Sequence, residues 1–345
     1  MKAQTEVTAG IMRGKDYGVT YMLPQTEIII NVETTKHTYT PGELCRYAEQ
    51  FLRMNNVLSE PSSYWSIDNI SIELAGVPDK EKVYFVKMKE KTSAPMMELT
   101  EEGIIRSINM PFSGKKAPQQ AVSQQPATNN NAITFDASSY LTEEILMANS
   151  SAKMAELIAK EIYEIRESKN ALVRGESDNL PQDGAQLKLM LDNLNHQEQA
   201  LMAMFIGNRT EEKKSHTIRF TPREVKNAIA FRFSTKLGMV ENDNLAGAPA
   251  YITITDLKNP EIPVATPEEE GSKKKEKTLS IVYNVPGRAH IALTYNNEVI
   301  FEDEQPVSQF GSIEYLSPVL FNKNSGTQVL FDTATGGLLK VHREN

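Results

Sequence analysis

The sequence predicts an α+β protein in which two β-rich parts flank an antiparallel helical hairpin. Three observations carry this. Aliphatic and β-branched runs bounded by Gly, Pro and Asn fill both ends of the chain. Apolar residues spaced by three and four fill the middle. A stretch rich in Gln, Asn, Pro and Ser separates the first part from the rest. The divisions that follow are a β-rich domain with one helix over 1–112, a polar linker or long loop over 113–132, the helical hairpin over 133–215 and a β-rich C-terminal domain over 216–345.

In the first part, residues 17–33 read as a strand, a break at Pro24 and a second strand. Thr40-Pro41-Gly42-Glu43 reads as a helix start, with Thr40 as cap, Pro41 at the first helical position and Glu43 closing a capping box. Leu44, Tyr47, Ala48, Phe51 and Leu52 then give one apolar face, beside which Cys45 is expected to be structural. Strands are expected over 66–75, 82–89 and 97–109, the last turning at Glu101-Glu102-Gly103. Residues 113–132 have almost nothing to bury, so a linker is expected there.

Residues 141–174 read as one long helix with Ala155, Ile158, Ile162, Ile165 and Leu172 on its apolar stripe and Lys169 interrupting it. Gly175 ends it. Asp183-Gly184-Ala185-Gln186 opens a second helix, in which Leu187, Leu191, Leu194, Leu201 and Phe205 repeat at coiled-coil spacing up to a stop at Gly207. A short connection makes the two helices antiparallel neighbours. Pairing them about the loop centre sets Glu198 near Lys160 and Tyr163, where a carboxylate in the seam pins register rather than acts as an acid.

From His216 onward the candidate strands are 228–233, 250–256, 278–284, 289–295, 298–302, 312–315 and 328–341, and the acidic-then-basic run 264–277 reads as a solvated hairpin tip or crossover loop. The two β-rich parts echo each other. Tyr21-Met22-Leu23-Pro24 precedes an aliphatic strand, as does Tyr283-Asn284-Val285-Pro286. Gly103-Ile104-Ile105-Arg106 near the end of one part matches Gly337-Leu338-Leu339-Lys340 near the end of the other. Recurrent turn chemistry and an internal duplication both produce such an echo.

Composition bounds the function by exclusion. A net charge of −8 and a pI near 5.4 argue against a nucleic-acid-binding surface. A single cysteine, Cys45, allows no intrachain disulfide and no Cys-rich metal site. No apolar run is long enough for a transmembrane segment. The five His are scattered without an i, i+4 pair. Ser113-Gly114-Lys115-Lys116 lacks the upstream glycines of a phosphate loop. The clusters at Glu241-Asn242-Asp243-Asn244 and Glu302-Asp303-Glu304 lack the alternating ligands of a calcium loop. No cofactor, no metal and no catalytic residue is therefore assigned. The candidate ligand or partner contacts are Tyr64, Trp65 and Glu198. Tyr64-Trp65 is a pair of adjacent aromatics in a Ser-rich stretch, suited to stacking on a sugar or anchoring a partner. The competing and preferred reading has Trp65 start a strand and anchor the first core.

Several stretches together resemble an uncharacterised Bacteroidetes family of secreted or envelope proteins, domain-of-unknown-function family number 4831. They are Tyr21 to Pro24, Pro41 to Ala48, Ile162 to Ser168, Gly175-Glu176, Pro181 to Gly184 and Gln309-Phe310-Gly311. The resemblance implies that members carry signal peptides, that this chain is a mature form, and that it is secreted, periplasmic or held in the cell envelope. It implies no activity.

The functional expectation is a non-enzymatic binding or assembly module whose partner is an envelope protein or a glycan. The alternatives are a hydrolase acting on glycans and a subunit that presents the helical hairpin to a partner.

Overall fold

The computed structural model describes residues 6–9, 18–87, 97–109, 137–176, 183–258, 281–316 and 326–344. The expected linker over 113–132 and the charged run over 264–277 lie outside them.

A long antiparallel hairpin organises the first part. Strand β2 (Gly18–Thr40) pairs with β3 (Ser62–Lys87) from Gly18 opposite Lys87 to Tyr39 opposite Ser62. Strand β1 (Glu6–Ala9) joins the far side of β3, and β6 (Asn208–Phe220) joins the far side of β2, giving the order β1-β3-β2-β6. Pro24 does not break β2. The register shifts between Met22 and Pro24, and Pro24 faces another proline, Pro78. A bulge lets the strand carry a residue that has no N–H to give to a ladder.

The second sheet is built from β7 (Val225–Ser234), β8 (Gly238–Val240), β9 (Ala248–Asp256), β10 (Ile281–Tyr295) and β11 (Glu298–Leu316), in the order β11-β10-β9-β7-β8. Its inner residues Phe231, Phe233, Ile252, Ile254, Ile291 and Leu293 share one buried core with Ile28, Ile30 and Val32 of β2. The third sheet takes β4 (Met97–Leu99), β5 (Ile105–Ile108), β12 (Gly326–Phe331) and β13 (Leu338–Glu344) in the order β13-β12-β5-β4. It packs through Ile105, Ile108, Val329 and Phe331 on Tyr21, Leu23 and Val86. Strands from both ends of the chain thus share the third sheet, with β5 antiparallel to β12. The first sheet likewise recruits β6 from beyond the helices. The β-rich stretches are interleaved rather than separately closed.

The echo between them has a geometric counterpart. The backbone N–H of Met22 donates to the Gly103 carbonyl (2.9 Å), and that of Asn284, its counterpart, donates to the Gly336 carbonyl (3.2 Å), one residue before Gly337, the glycine that the sequence echo matched to Gly103. Both glycines hold positive φ, 87° and 77°, where residues with side chains are strained. Each long hairpin also shifts register beside its proline, between Met22 and Pro24 in one and between Val285 and Gly287 in the other.

The helices are α1 (Ala48–Leu52), α2 (Glu143–Leu146), α3 (Ser151–Arg174) and α4 (Gly184–Ile206). Leu44, Ala48, Leu52, Ile145, Ile158, Ile162, Ile165, Leu201 and Phe205 form a third core among them. The start expected at Thr40 is absent. Thr40 ends β2, and the first helical turn, Cys45–Tyr47, has no side-chain cap. The backbone is fastened instead to α4, with the Leu44 N–H donating to the Met204 carbonyl (2.8 Å). A Cβ on Gly42 would lie 2.2 Å from that carbonyl oxygen, so only glycine permits the approach. Cys45 is partly exposed rather than buried. The long helix expected from 141 is divided: Thr142 caps α2, and Ser150 caps α3 by accepting from the Lys153 N–H (3.2 Å). Asn149-Ser150 side chains compete for backbone groups and favour such a break. Gly175 and Gly207 end α3 and α4 as expected. Residues 208–215, grouped by the sequence division with the helical hairpin, belong to strand β6, along which exposed and half-buried residues alternate at the sheet edge.

Candidate functional site

Where α4 ends, the chain turns at Gly207 into β6 and meets the end of β2 and the segment between α1 and β3. A cavity of about 920 Å³ opens there, lined by residues of all four. Its lining mixes the apolar Met54, Val57, Leu58, Met202 and Ile206 with Arg53, Arg209, Glu198 and several carboxamides. A second cavity of about 360 Å³ adjoins it and shares Tyr39, Leu58 and Arg209.

Tyr39 holds the junction together. Its hydroxyl lies 2.7 Å from the Leu58 carbonyl and 3.0 Å from the Ile206 carbonyl, so one proton bridges the connecting segment and the end of α4. Burial pushes the hydroxyl pKa up, with Cys45 adding to the rise and Arg209 opposing it. The Arg209 guanidinium stands 5.8 Å above the Tyr39 ring, a cation–π contact, and no described residue pairs with its N–H donors.

Of the residues singled out from sequence, Glu198 lines the larger cavity and Tyr64 the smaller. The structure therefore brings these two to adjoining sites. Trp65 goes elsewhere. Neighbouring residues on a strand face opposite ways, and Trp65 packs against the core between the two large sheets, with its backbone N–H donating to the Thr235 carbonyl (2.7 Å). Lys214 lies 5.2 Å above its ring. Trp65 lies within β3 rather than at its start and is half-buried against this core. Tyr64 is 54% exposed and stacks on His37 at 4.7 Å.

Glu198 does not meet Lys160 or Tyr163. Lys160 pairs with Glu164 on its own helix (3.5 Å), and the Tyr163 hydroxyl donates to the Phe51 carbonyl (3.2 Å). Glu198 accepts instead from Arg166 Nε (2.6 Å) and from the Lys169 ammonium. Lys169, which interrupts the apolar stripe, is there to reach this carboxylate. Pairing about the loop centre therefore places Glu198 too early along α3, whose Arg166 and Lys169 are its partners. Desolvation raises the Glu198 pKa, but the hydrogen bonds and charges of Lys169 and Arg166 outweigh it and leave the carboxyl below its usual range.

This gives Glu198→Leu a direction. The substitution strands two cations, so it is expected to destabilise by about 1 kcal/mol near neutral pH; Arg166 is 40% exposed, and solvent screens its share. A folded-state pKa below the unfolded one contributes stability that is present above the unfolded pKa and is lost as pH falls through the folded one. Melts of wild type and variant across the acid range should therefore converge as Glu198 protonates. A variant as stable as wild type near neutrality would refute the role of the two cations.

In the smaller cavity, Glu211 Oε1 lies 3.3 Å from His37 Nδ1, and His37 Nε2 lies 3.0 Å from Ser66 Oγ. Carboxylate, imidazole and hydroxyl stand in the order of a hydrolase relay. Here a second carboxylate intervenes. Asp68 Oδ1 is 3.2 Å from Ser66 Oγ and competes with the imidazole for its proton, while Asp68 Oδ2 accepts from Thr35. A nucleophile is activated when its base takes the proton; this hydroxyl has a stronger acceptor beside it. No group of three or more His, Cys, Asp and Glu that could hold a metal occurs among the described residues, and no helix among them is long and apolar enough to cross a membrane.

Sequence reasoning missed Tyr39, His37, Arg209 and Glu211. All are spaced by two on β2 or β6, and the register sets His37 opposite Glu211 and Tyr39 opposite Arg209. Only recognition of β6 as the neighbour of β2 could have joined them.

Comparison with known proteins finds no matching curated protein and no matching solved structure. A family described as "Domain of unknown function (DUF4831)" matches residues 17–339. That match runs from the start of β2 into β13 and takes in β2 to β12, the helices and both cavities, so the chain belongs to this family.

Proposed function

We propose that the protein is a non-enzymatic binding or assembly module, secreted or held in the cell envelope, and that its ligand site is the larger cavity at the end of α4. The observation that carries the binding reading is the chemistry of the lining. The lining combines apolar side chains with polar ones that are unengaged among the described residues: Arg53, Asn55, Asn56, Gln199 and Asn208 make no side-chain hydrogen bond or ion pair with another described residue. Groups left unpaired at the rim of a concave apolar site are available to a ligand. The proposed location rests on the family resemblance. The alternating echo of Tyr-x-x-Pro and glycine turn in the two hairpins supports descent of the β-rich parts from one duplicated unit, with α3 and α4 inserted as an antiparallel hairpin that supplies one wall of the site.

The glycan-hydrolase alternative needs a general acid with a raised pKa facing a second carboxylate. Glu198 is the one carboxylate lining the larger cavity, and Arg166 and Lys169 hold it ionised. Binding is the better use of this geometry.

Filling the groove tests the reading. Gln199 is an exposed residue of α4 at the rim, so Gln199→Trp is expected to leave the melting temperature within a few degrees of wild type while closing the cavity. Capture of envelope proteins or glycans from fractionated host cells by wild type, and its loss with Gln199→Trp, is the expected result. Identical capture by both would place binding elsewhere.

A further inference from the structure

We propose that the larger cavity takes a peptide that ends in a free carboxylate beside apolar side chains. This deepens the binding reading above and rests on it. The argument begins with charge. The protein is acidic overall, yet two of the residues lining this cavity are arginines, Arg53 and Arg209, and neither makes an ion pair with another described residue. The cavity's one carboxylate is already met by Arg166 and Lys169, which lie outside the lining. The site is therefore left with uncompensated positive charge.

The Arg209 side chain is held by a ring contact, and Arg53 is fixed at its backbone. Arg53 is the left-handed residue that ends α1, with φ 58° and its N–H donating to the Glu49 carbonyl (3.1 Å). Arg209 is held over the Tyr39 ring, and Tyr39 is itself fixed by two carbonyls. A guanidinium anchored through its face presents its N–H edge to an anion, and a carboxylate matches that edge with two parallel hydrogen bonds.

The remaining lining selects what the carboxylate is attached to. Met54, Met202 and Ile206 offer an apolar bed, and methionine adapts its shape to varied side chains. The carboxamides of Asn55, Gln199 and Asn208 each bring a donor and an acceptor, the complement of a peptide bond, and none is engaged by a described residue. A sugar would need an open aromatic face, whereas the Tyr39 ring is covered by Arg209.

The test uses the full-length chain and a dye-labelled short peptide ending in leucine, prepared with a free and with an amidated C-terminus, read by fluorescence anisotropy. The free acid is expected to bind roughly tenfold or more tightly than the amide, the effect of one or two charge-assisted hydrogen bonds. Arg53→Gln and Arg209→Gln are each expected to shrink that ratio while retaining the wild-type melting temperature. If acid and amide bind equally, and Gln199→Trp abolishes both, the carboxylate proposal falls while the groove stands as a binding site. If neither peptide binds, the peptide proposal falls; the groove reading falls with it only if Gln199→Trp also captures the same envelope material as wild type.

Discussion

Ile162→Ala is expected to lower the stability of the protein by about 2–5 kcal/mol. Ile162 sits in the middle of α3, has no exposed surface and belongs to the core that α3 and α4 share with the segment around α1. Truncation removes buried methylene groups and leaves a cavity, because Ile158, Ile165, Leu201 and Phe205 are fixed on helices capped at both ends and cannot close over the gap. The helix itself loses nothing, since alanine is the best helix former. Denaturant titration with circular dichroism reads the cost directly. The consequence reaches the cavity. Leu44 and Gly42 pack their backbone against Met204 at the end of α4, and Tyr39 ties that end to Leu58. Loosening the helical core should therefore weaken ligand capture as well as stability. A loss well under 1 kcal/mol would mean that the helices do not depend on this core.

The apolar pattern of the helices was legible in the sequence because it is a local property. Ala155, Ile158, Ile162, Ile165 and Leu172 lie at helical spacing, and all are buried. The same holds for the strands around Ile28, Ile252 and Ile291. What could not be read was pairing. The neighbour of β2 on one side is β6, which lies beyond the helices, and the neighbour of β5 is β12, near the end of the chain. Charged β6 looks like a solvated loop until its alternate residues are set against Tyr39, His37 and Thr35. The site inherits this difficulty. Tyr64 and Glu198 were found as oddities in their own segments, but the arginine and tyrosine that join their cavities become visible only with the register. Pro24 shows the reverse error, in which a local rule about proline in strands predicts a break that a bulge absorbs.

Asn284→Ala is the second substitution with a large expected effect, about 2–5 kcal/mol. Asn284 is 1% exposed on β10, and its side-chain amide donates to the Pro24 carbonyl (2.9 Å) and to the Thr335 carbonyl (2.8 Å). It thereby ties the bulge of β2 to the turn between β12 and β13, where the two ends of the chain interleave. Alanine leaves both carbonyls buried without a partner, at roughly 1–3 kcal/mol each. Asn284→Asp separates this effect from lost volume. The introduced carboxyl has the same shape but, when ionised, turns an oxygen toward two carbonyl oxygens in a buried site. Burial and those dipoles raise its folded-state pKa above the unfolded value. A raised pKa penalises folding at neutral pH and relieves the penalty as the carboxyl protonates. The aspartate variant should therefore be less stable than the alanine variant near neutrality, and should gain on it as pH falls toward the acid range. Parallel melting curves for the two variants at every pH would show that this amide is not the fastener between the halves.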